Sequence, residues 1–291
     1  MQRIDLAVIG GSGFYDLPGI EDVEELHVGT PFGAPSDVIR VGRLGGASVA
    51  FLARHGPGHR YLPSELPQRA NMWALKSLGV ERVLGVSAVG GLRDECGPGT
   101  AVLPDQVIDR TRGDRPETFF GGGIVAHVGM AEPMCAALRR AAYEAASAGA
   151  QPVVDGGIYV VIEGPAFGTR AESHLYRDWG ASVVGMTAFP EAKLAREAEL
   201  CYALLTTVTD YDSWHPEEGA VDAMAVLSVL RANVAHSRDA VARLATLLPG
   251  RDRCGCAHTL DAALMTDPGS IPVEVRERLE PILRRRLGRP A

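Results

Sequence analysis

No apolar run in the chain reaches the roughly 18 residues that suggest a membrane-crossing helix, because Gly, Arg and Asp interrupt every candidate. A membrane role is therefore not expected. A secretory leader is not expected either. The strand-like Ile4-Asp5-Leu6-Ala7-Val8-Ile9 leaves no room for a charged region, an apolar stretch and a cleavage site, so a cytoplasmic location is expected. Basic clustering is equally scarce: 29 Lys and Arg against 36 Asp and Glu give a net charge of −7. The exception, Arg284-Arg285-Arg286, reads as a solvated helix end, so nucleic acid is not an expected partner. The five cysteines, at 96, 135, 201, 254 and 256, lack the spacing of a secreted scaffold and are expected to be mostly reduced. Cys254-Gly255-Cys256 followed by His258 resembles half of a zinc site, but the sequence offers no second half. No metal is expected, and a local disulfide or two plain thiols is the preferred reading.

Repeats, low-complexity tracts and linkers are also lacking. A chain of 291 residues, 46% hydrophobic and 22% charged, suits one large α/β domain, here assigned to residues 1–250, with residues 251–291 as a C-terminal extension packed on it. What the chain does have is a repeated pattern. Apolar segments at residues 6–9, 49–52 and 82–86 run into Gly10-Gly11-Ser12-Gly13, Arg54-His55-Gly56 and Ser87-Ala88-Val89-Gly90-Gly91. In open α/β sheets ligands gather at the C-terminal ends of strands, so three such ends predict one site built from three loops. Helices are predicted over 68–78, 132–148, 171–179 and 220–248, with another opening at Pro190-Glu191, and strands over 159–162, 182–184 and 200–208. Beyond Pro249 the pattern weakens, and residues 265–274 read as loop.

Each motif has a plain alternative. Gly10-Gly11-Ser12-Gly13 can curl its amides around an anion with Ser12 adding a hydroxyl, or can be a tight turn. It has neither the spacing of a dinucleotide fingerprint nor the lysine of a P-loop. Arg54 can bind phosphate or form an ion pair, and His55 can be a second donor or a packed core residue. Ser87, the Ala88 amide and Thr187 add donors without charge. Asp210 and Asp212 follow an apolar strand; if the segment stays extended, both point the same way. One of two such acids can then be protonated at neutral pH and act as a general acid, unless the pair is a solvated turn. A divalent cation would need a further ligand, for which only His215 stands nearby. Phe167 and Met186 pass in isolation as packing residues.

In order along residues 4–248, these segments resemble the trimeric class of purine nucleoside phosphorylases, in its branch acting on 5'-methylthioadenosine. The likeness rests on Ile9-Gly10-Gly11-Ser12-Gly13, Thr30-Pro31-Phe32-Gly33-Ala34-Pro35-Ser36, Ala53-Arg54-His55-Gly56 and Arg69-Ala70-Asn71-Met72-Trp73-Ala74-Leu75. Further along come Glu163-Gly164-Pro165-Ala166-Phe167, Gly185-Met186-Thr187 with Pro190-Glu191, and Thr209-Asp210-Tyr211-Asp212. The resemblance implies a single-domain mixed twisted β-sheet flanked by helices, a homotrimer, and phosphorolysis with inorganic phosphate as co-substrate and no cofactor. It also implies that Ser12, Arg54, His55, Ser87, Ala88 and Thr187 bind phosphate, that Met186 lies under the ribose and that Phe167 stacks on the purine. Asp210 would meet N7 of adenine, and Asp212 its exocyclic amine. His59, His127 and Val226 match positions near the 5' substituent, His127 reaching in from a neighbouring subunit. Relatives specific for 6-oxopurines carry Asn at the first acidic position and Glu after the stacking Phe, where this chain has Asp210 and Gly168. Pro67-Gln68 replaces the family's usual Asn-Tyr, and Ala223 stands where a larger aliphatic residue could. Relatives serving 5'-halogenated nucleosides share the framework, so the 5' group stays open at this point, as do a nucleosidase and a nucleoside-binding protein.

Overall fold

The structure, a computed structural model, describes residues 3–215 and 223–288. Its centre is β1 (Leu6–Gly10), β4 (Ala47–Ala53), β5 (Arg82–Gly91) and β11 (Cys201–Asp210). Every residue of β1 and β4 is buried, as is every residue of β11 before Asp210, the pattern of strands covered on both faces. Alternation decides which face each residue serves. Ala7 and Ile9 of β1 join one core with Met72, Leu75 and Ala192, while Leu6 and Val8 join the other with Leu138, Ala145 and Leu244. The first core carries α1 (Gln68–Ser77) and α4 (Ala188–Glu197), the second α2 (Ala136–Ser147) and α5 (Ala223–Thr246). Around this frame lie β2 (Glu21–Leu26), β3 (Ile39–Leu44), β6 (Ala101–Leu103), β7 (Gln106–Asp109), β8 (Val153–Asp155), β9 (Ile158–Val161), α3 (Arg170–Asp178) and β10 (Ala181–Gly185). The result is the mixed α/β sheet expected, with main-path order β2-β3-β4-β1-β5-β10-β9-β7 and β11, β6 and β8 branching from β5.

The branch at β5 makes the site. On one side β5 runs parallel to β11 through most of its length. On the other, β1 registers with residues 83–86 and then ends, while antiparallel β10 registers only with Gly90 and Gly91. Among the described residues no strand registers with residues 87–89 on that side, so the sheet opens there. The sequence reading ended this strand at Val86 and placed residues 87–91 in a loop. They are strand, because β11 stays paired to them.

Other boundaries also move. The predicted helix over 132–148 begins at Ala136: Pro133 disfavours helical geometry at Glu132, and the Cys135 N–H donates to the Tyr202 carbonyl at 2.7 Å. The weakly patterned C-terminus holds α6 (Val273–Arg278) and α7 (Glu280–Leu287), so residues 265–274 are not all loop. Val275, Leu279, Ile282 and Leu283 join the first core, and Trp73 Nε1 donates to the Arg278 carbonyl at 2.9 Å. Nor is the arginine run simply solvated. Arg285 donates to both oxygens of the buried Glu199, at 2.8 and 2.6 Å. No helix among the described residues is long and apolar enough to cross a membrane.

Glu197, on α4, accepts from the Phe119 N–H and the Thr118 hydroxyl, both at 2.7 Å. Burial nevertheless pushes its carboxyl up from 4.5 to about 7. The folded state therefore holds this proton more tightly than the unfolded chain, and the contribution to stability falls as pH rises from 4.5 to about 7. Glu197→Gln is expected to remove this loss, on the order of 3 kcal/mol. Urea denaturation on either side of that window checks it; an unchanged pH profile would mean that Glu197 is not the titrating group.

Candidate active site

The opening beside β5 leads into a cavity of about 440 Å³, within the range of small-molecule sites. Ser12, Arg54, His55, His59, Ser87, Ala88, Phe167, Met186, Thr187, Asp210 and Asp212 all line it. Two predicted residues stand apart. His127 is exposed on a segment whose backbone N–H donates to the Ala263 carbonyl at 2.8 Å, outside the cavity of its own chain. Val226 falls on α5, where its side chain lies outside the described ones. Pro67 and Gln68, the departure noted above, do not line the cavity.

At one end of the cavity, three strand ends converge. Ser12 follows β1, Ser87 lies in the stretch of β5 paired only on its β11 side, and Thr187 follows β10, so that the Ser87 and Thr187 hydroxyls sit 3.3 Å apart. Arg54 follows β4 and is fully buried. Its Nε and Nη2 donate to the two oxygens of Glu191 at 2.8 and 3.0 Å, Nη1 donates to the Val86 carbonyl at 2.8 Å, and Nη2 also reaches the Ile9 carbonyl. Four of its five N–H groups are thus engaged, and one on Nη1 remains for the cavity. The free choice between anion binder and ion pair resolves into a combination. Arg54 is held by an ion pair and also lines the pocket. Glu191 also accepts from the Tyr202 hydroxyl at 2.7 Å, so both of its oxygens are satisfied in a place without solvent.

His55 is buried, and its Nδ1 lies 2.9 Å from the Tyr61 carbonyl. A carbonyl can only accept, so Nδ1 carries the hydrogen and Nε2 is left as an acceptor in the neutral ring. Burial, and then the charge of Arg54, lower its pKa to about 4, which keeps the imidazole neutral in the physiological range. Its ring stacks on His59 at 4.2 Å between centroids, and His59 Nδ1 meets the Tyr15 hydroxyl at 2.8 Å.

The other end is acidic. Asp210 accepts from the Asp212 N–H at 2.8 Å and from the Thr209 hydroxyl at 2.7 Å, one bond on each oxygen. The segment does not stay extended: Asp212 has φ +52° and begins a short turn to Trp214. His215 stacks on Tyr211 at 4.5 Å. Trp214 anchors the turn by donating to the Gly91 carbonyl at 2.8 Å, and the Ser213 hydroxyl ties it to the Phe167 loop through the Gly168 carbonyl at 3.1 Å. Burial, and the charge of Asp210, push the Asp212 carboxyl up against the pull of Ser173. Burial thus favours the neutral form of Asp212.

Between the ends stand Met186 and Phe167. Gly164 has φ +71°, and a Cβ there would lie 2.5 Å from Met186 Sδ, so glycine is needed for the loop to close on the methionine. Phe167 is 52% exposed. Arg115 braces both loops. It pairs with Glu163 at 2.8 Å and donates to the Glu163 and Met186 carbonyls at 2.6 and 2.7 Å. Sequence reading missed Arg115, Tyr202 and the role of Glu191. A charge among the buried alanines of α4 demands a partner, and that was the available signal for Glu191.

Comparison with known proteins places this geometry. The family described as Phosphorylase superfamily matches residues 5–246. An S-methyl-5'-thioadenosine phosphorylase from Chloroflexus aurantiacus is 51% identical over 97% of this chain and 98% of its own. A methylthioadenosine phosphorylase from an antarctic soil metagenomic library superposes with a TM-score of 0.91 at 44% identity, covering 97% of this chain and 99% of that one. A mutant adenosine/methylthioadenosine phosphorylase from Schistosoma mansoni, in complex with methylthioadenosine, superposes with a TM-score of 0.82 at 37% identity, covering 89% and 96%.

The Arg54 and Glu191 pair gives a prediction about stability. Removing one partner strands a buried charge, so Glu191→Ala should destabilise the fold by about 3–5 kcal/mol. Arg54→Met with Glu191→Leu should be less destabilised than either single change, because no charge is left uncompensated. Denaturant titration of the three variants checks it; additive losses would contradict the pairing.

Proposed function

This chain belongs to the phosphorylase superfamily, and on that premise we propose that its cavity splits 5'-methylthioadenosine with inorganic phosphate, giving adenine and 5-methylthioribose 1-phosphate. The observation that carries the reading is the cavity's polarity. Hydroxyl and guanidinium donors gather where β1 leaves β5, the carboxyl pair stands farther along that strand beside Gly90, and Met186 and Phe167 line the same cavity. Breaking an N-glycosidic bond develops positive charge on the ribosyl carbon and negative charge on the purine, so an enzyme gains most by stabilising both ends of that transition state.

Phosphate sits among Ser12, Ser87, Thr187, the Ala88 amide and the remaining N–H of Arg54, with His55 Nε2 accepting the hydrogen of a protonated phosphate oxygen. There it is both nucleophile for C1' and counter-charge to the ribosyl cation. Met186 packs under the ribose and Phe167 on the purine. Asp212 accepts from the adenine amino group, which favours its charged form. Asp210, protonated in the complex, passes its proton to N7 as the bond lengthens. A 6-oxopurine would set an oxygen against the Asp212 carboxylate and leave both unpaired. Leu62, Pro63 and Leu230 also line the cavity, apolar surface suited to a methylthio group rather than a hydroxyl.

The reaction requires no bound cofactor, and its small soluble substrates suit a cytoplasmic enzyme. The assembly is a homotrimer in which His127 completes a neighbour's 5' end. In support, His127 lies on an exposed segment with Val125 at 48% and Met265 at 57% exposure, apolar surface that an interface would cover.

Purified protein should release adenine from 5'-methylthioadenosine only when phosphate is present; release independent of phosphate would overturn the reading. Across 5' substituents, methylthio should give the highest kcat/KM, and a preference for hydroxyl or halogen would reassign the substrate. Asp210→Asn should lower kcat by roughly 10²–10⁴-fold with little change in phosphate KM. Unchanged turnover would remove Asp210 from the acid role. Wild-type enzyme should favour 6-amino over 6-oxopurine nucleosides by about 10⁴-fold or more, and Asp212→Asn should erode that ratio.

A further inference from the structure

Four of the five cysteines meet at one point although they come from three separate parts of the chain. Cys135 caps α2, Cys201 opens β11, and Cys254 and Cys256 belong to the segment after α5. The missing half of the C-terminal motif is thus supplied by the fold. All four Sγ atoms lie within 4.8 Å of one another. Tetrahedral zinc with bonds of about 2.3 Å has sulfur-to-sulfur edges of ~3.8 Å, within reach of small side-chain rotations from this arrangement. Cys201 and Cys254 stand 3.4 Å apart, and all five cysteines are free thiols.

The surroundings suit thiolates. Arg196 Nη1 donates to Cys256 Sγ at 4.0 Å, placing a permanent cation beside the cluster, where four thiolates around a dication would leave a double negative charge. Two disulfides would be neutral and would give that guanidinium no charge to meet. Cys135, Cys201 and Cys256 are buried and Cys254 is partly exposed, so the site is closed, with one side open for entry. His258 is not part of it; its Nδ1 pairs with Asp261 at 3.0 Å.

We propose that Cys135, Cys201, Cys254 and Cys256 form a tetrathiolate site for one zinc ion, which clips the C-terminal segment to α2 and β11. Four protein ligands leave no position for substrate, so the ion is structural. Binding replaces the thiol protons with metal–sulfur bonds, and no oxidant or reductant is involved. Beyond the clip, the same segment carries Leu260 and Ala263, which pack in the first core, and Leu264, which bridges to Ala126 beside His127.

The test uses the full-length protein, reduced and then exposed to zinc or cobalt(II). Elemental analysis should find about one zinc per chain, and cobalt should give thiolate-to-metal charge-transfer absorption saturating at the same ratio. Cys256→Ser should lose the bound metal and lower the thermal midpoint, whereas Cys96→Ser, outside the cluster, should keep both. Should the serine variant fail to fold, cobalt titration of the wild type decides alone. Wild-type protein that binds neither metal, disulfides among these four cysteines in the purified protein, or equal metal content in Cys256→Ser would each overturn the proposal.

Discussion

Arg54 closes on Glu191 through two parallel hydrogen bonds in a place where neither side chain touches solvent. The same guanidinium reaches the Val86 carbonyl, where β1 ends its pairing with β5, and the Ile9 carbonyl of β1 itself. One cation therefore joins the ends of β1 and β4 and the middle of β5 to helix α4, at the point where the sheet divides. A buried ion pair of this kind contributes little net stability compared with apolar side chains of the same volume. What it supplies here is placement, a fixed cation at the edge of the opening through which Ser12, Ser87 and Thr187 converge.

The division of the sheet explains why one cavity can serve two kinds of charge. At the opening, strand ends and the stretch of β5 paired only on its β11 side offer donors. Farther along the same strand, β11 ends in Asp210, and the turn after it sets Asp212 behind the first carboxylate. Gly90 lies between them; a Cβ there would meet Asp210, Asp212 and Val184, each at 3.2 Å. β5 thus runs from the donor end to the acid end, and the two are held in register by its pairing with β11.

Much of this was legible in the sequence, and the remainder depended on contacts far apart in the chain. Apolar runs ending in glycine, Arg54 or Asp210 carried a local signal, because a buried strand that stops at a polar group needs a reason to stop. The continuation of β5 through Gly91 carried none, since its partners β10 and β11 arrive about a hundred residues later. The extended reading of Asp210 and Asp212 failed because Asp212 adopts a left-handed backbone held by a hydrogen bond to Asp210. Glu191 looked like an acid at a helix start, and Arg285 like part of a solvated run. Each is one half of an ion pair whose other half lies far off in sequence. The cysteines follow the same logic: Cys254 and Cys256 were visible as half a site, and only folding brings Cys135 and Cys201 beside them.

The central claim is that phosphate, lodged beside Arg54, forms the new bond to the ribosyl carbon. Mass spectrometry of the sugar product formed from 5'-methylthioadenosine with fully ¹⁸O-labelled phosphate tests this most directly. The account predicts a 5-methylthioribose 1-phosphate that retains every labelled oxygen, including the one bonded to C1'. Free 5-methylthioribose carrying a solvent oxygen at C1' would contradict it.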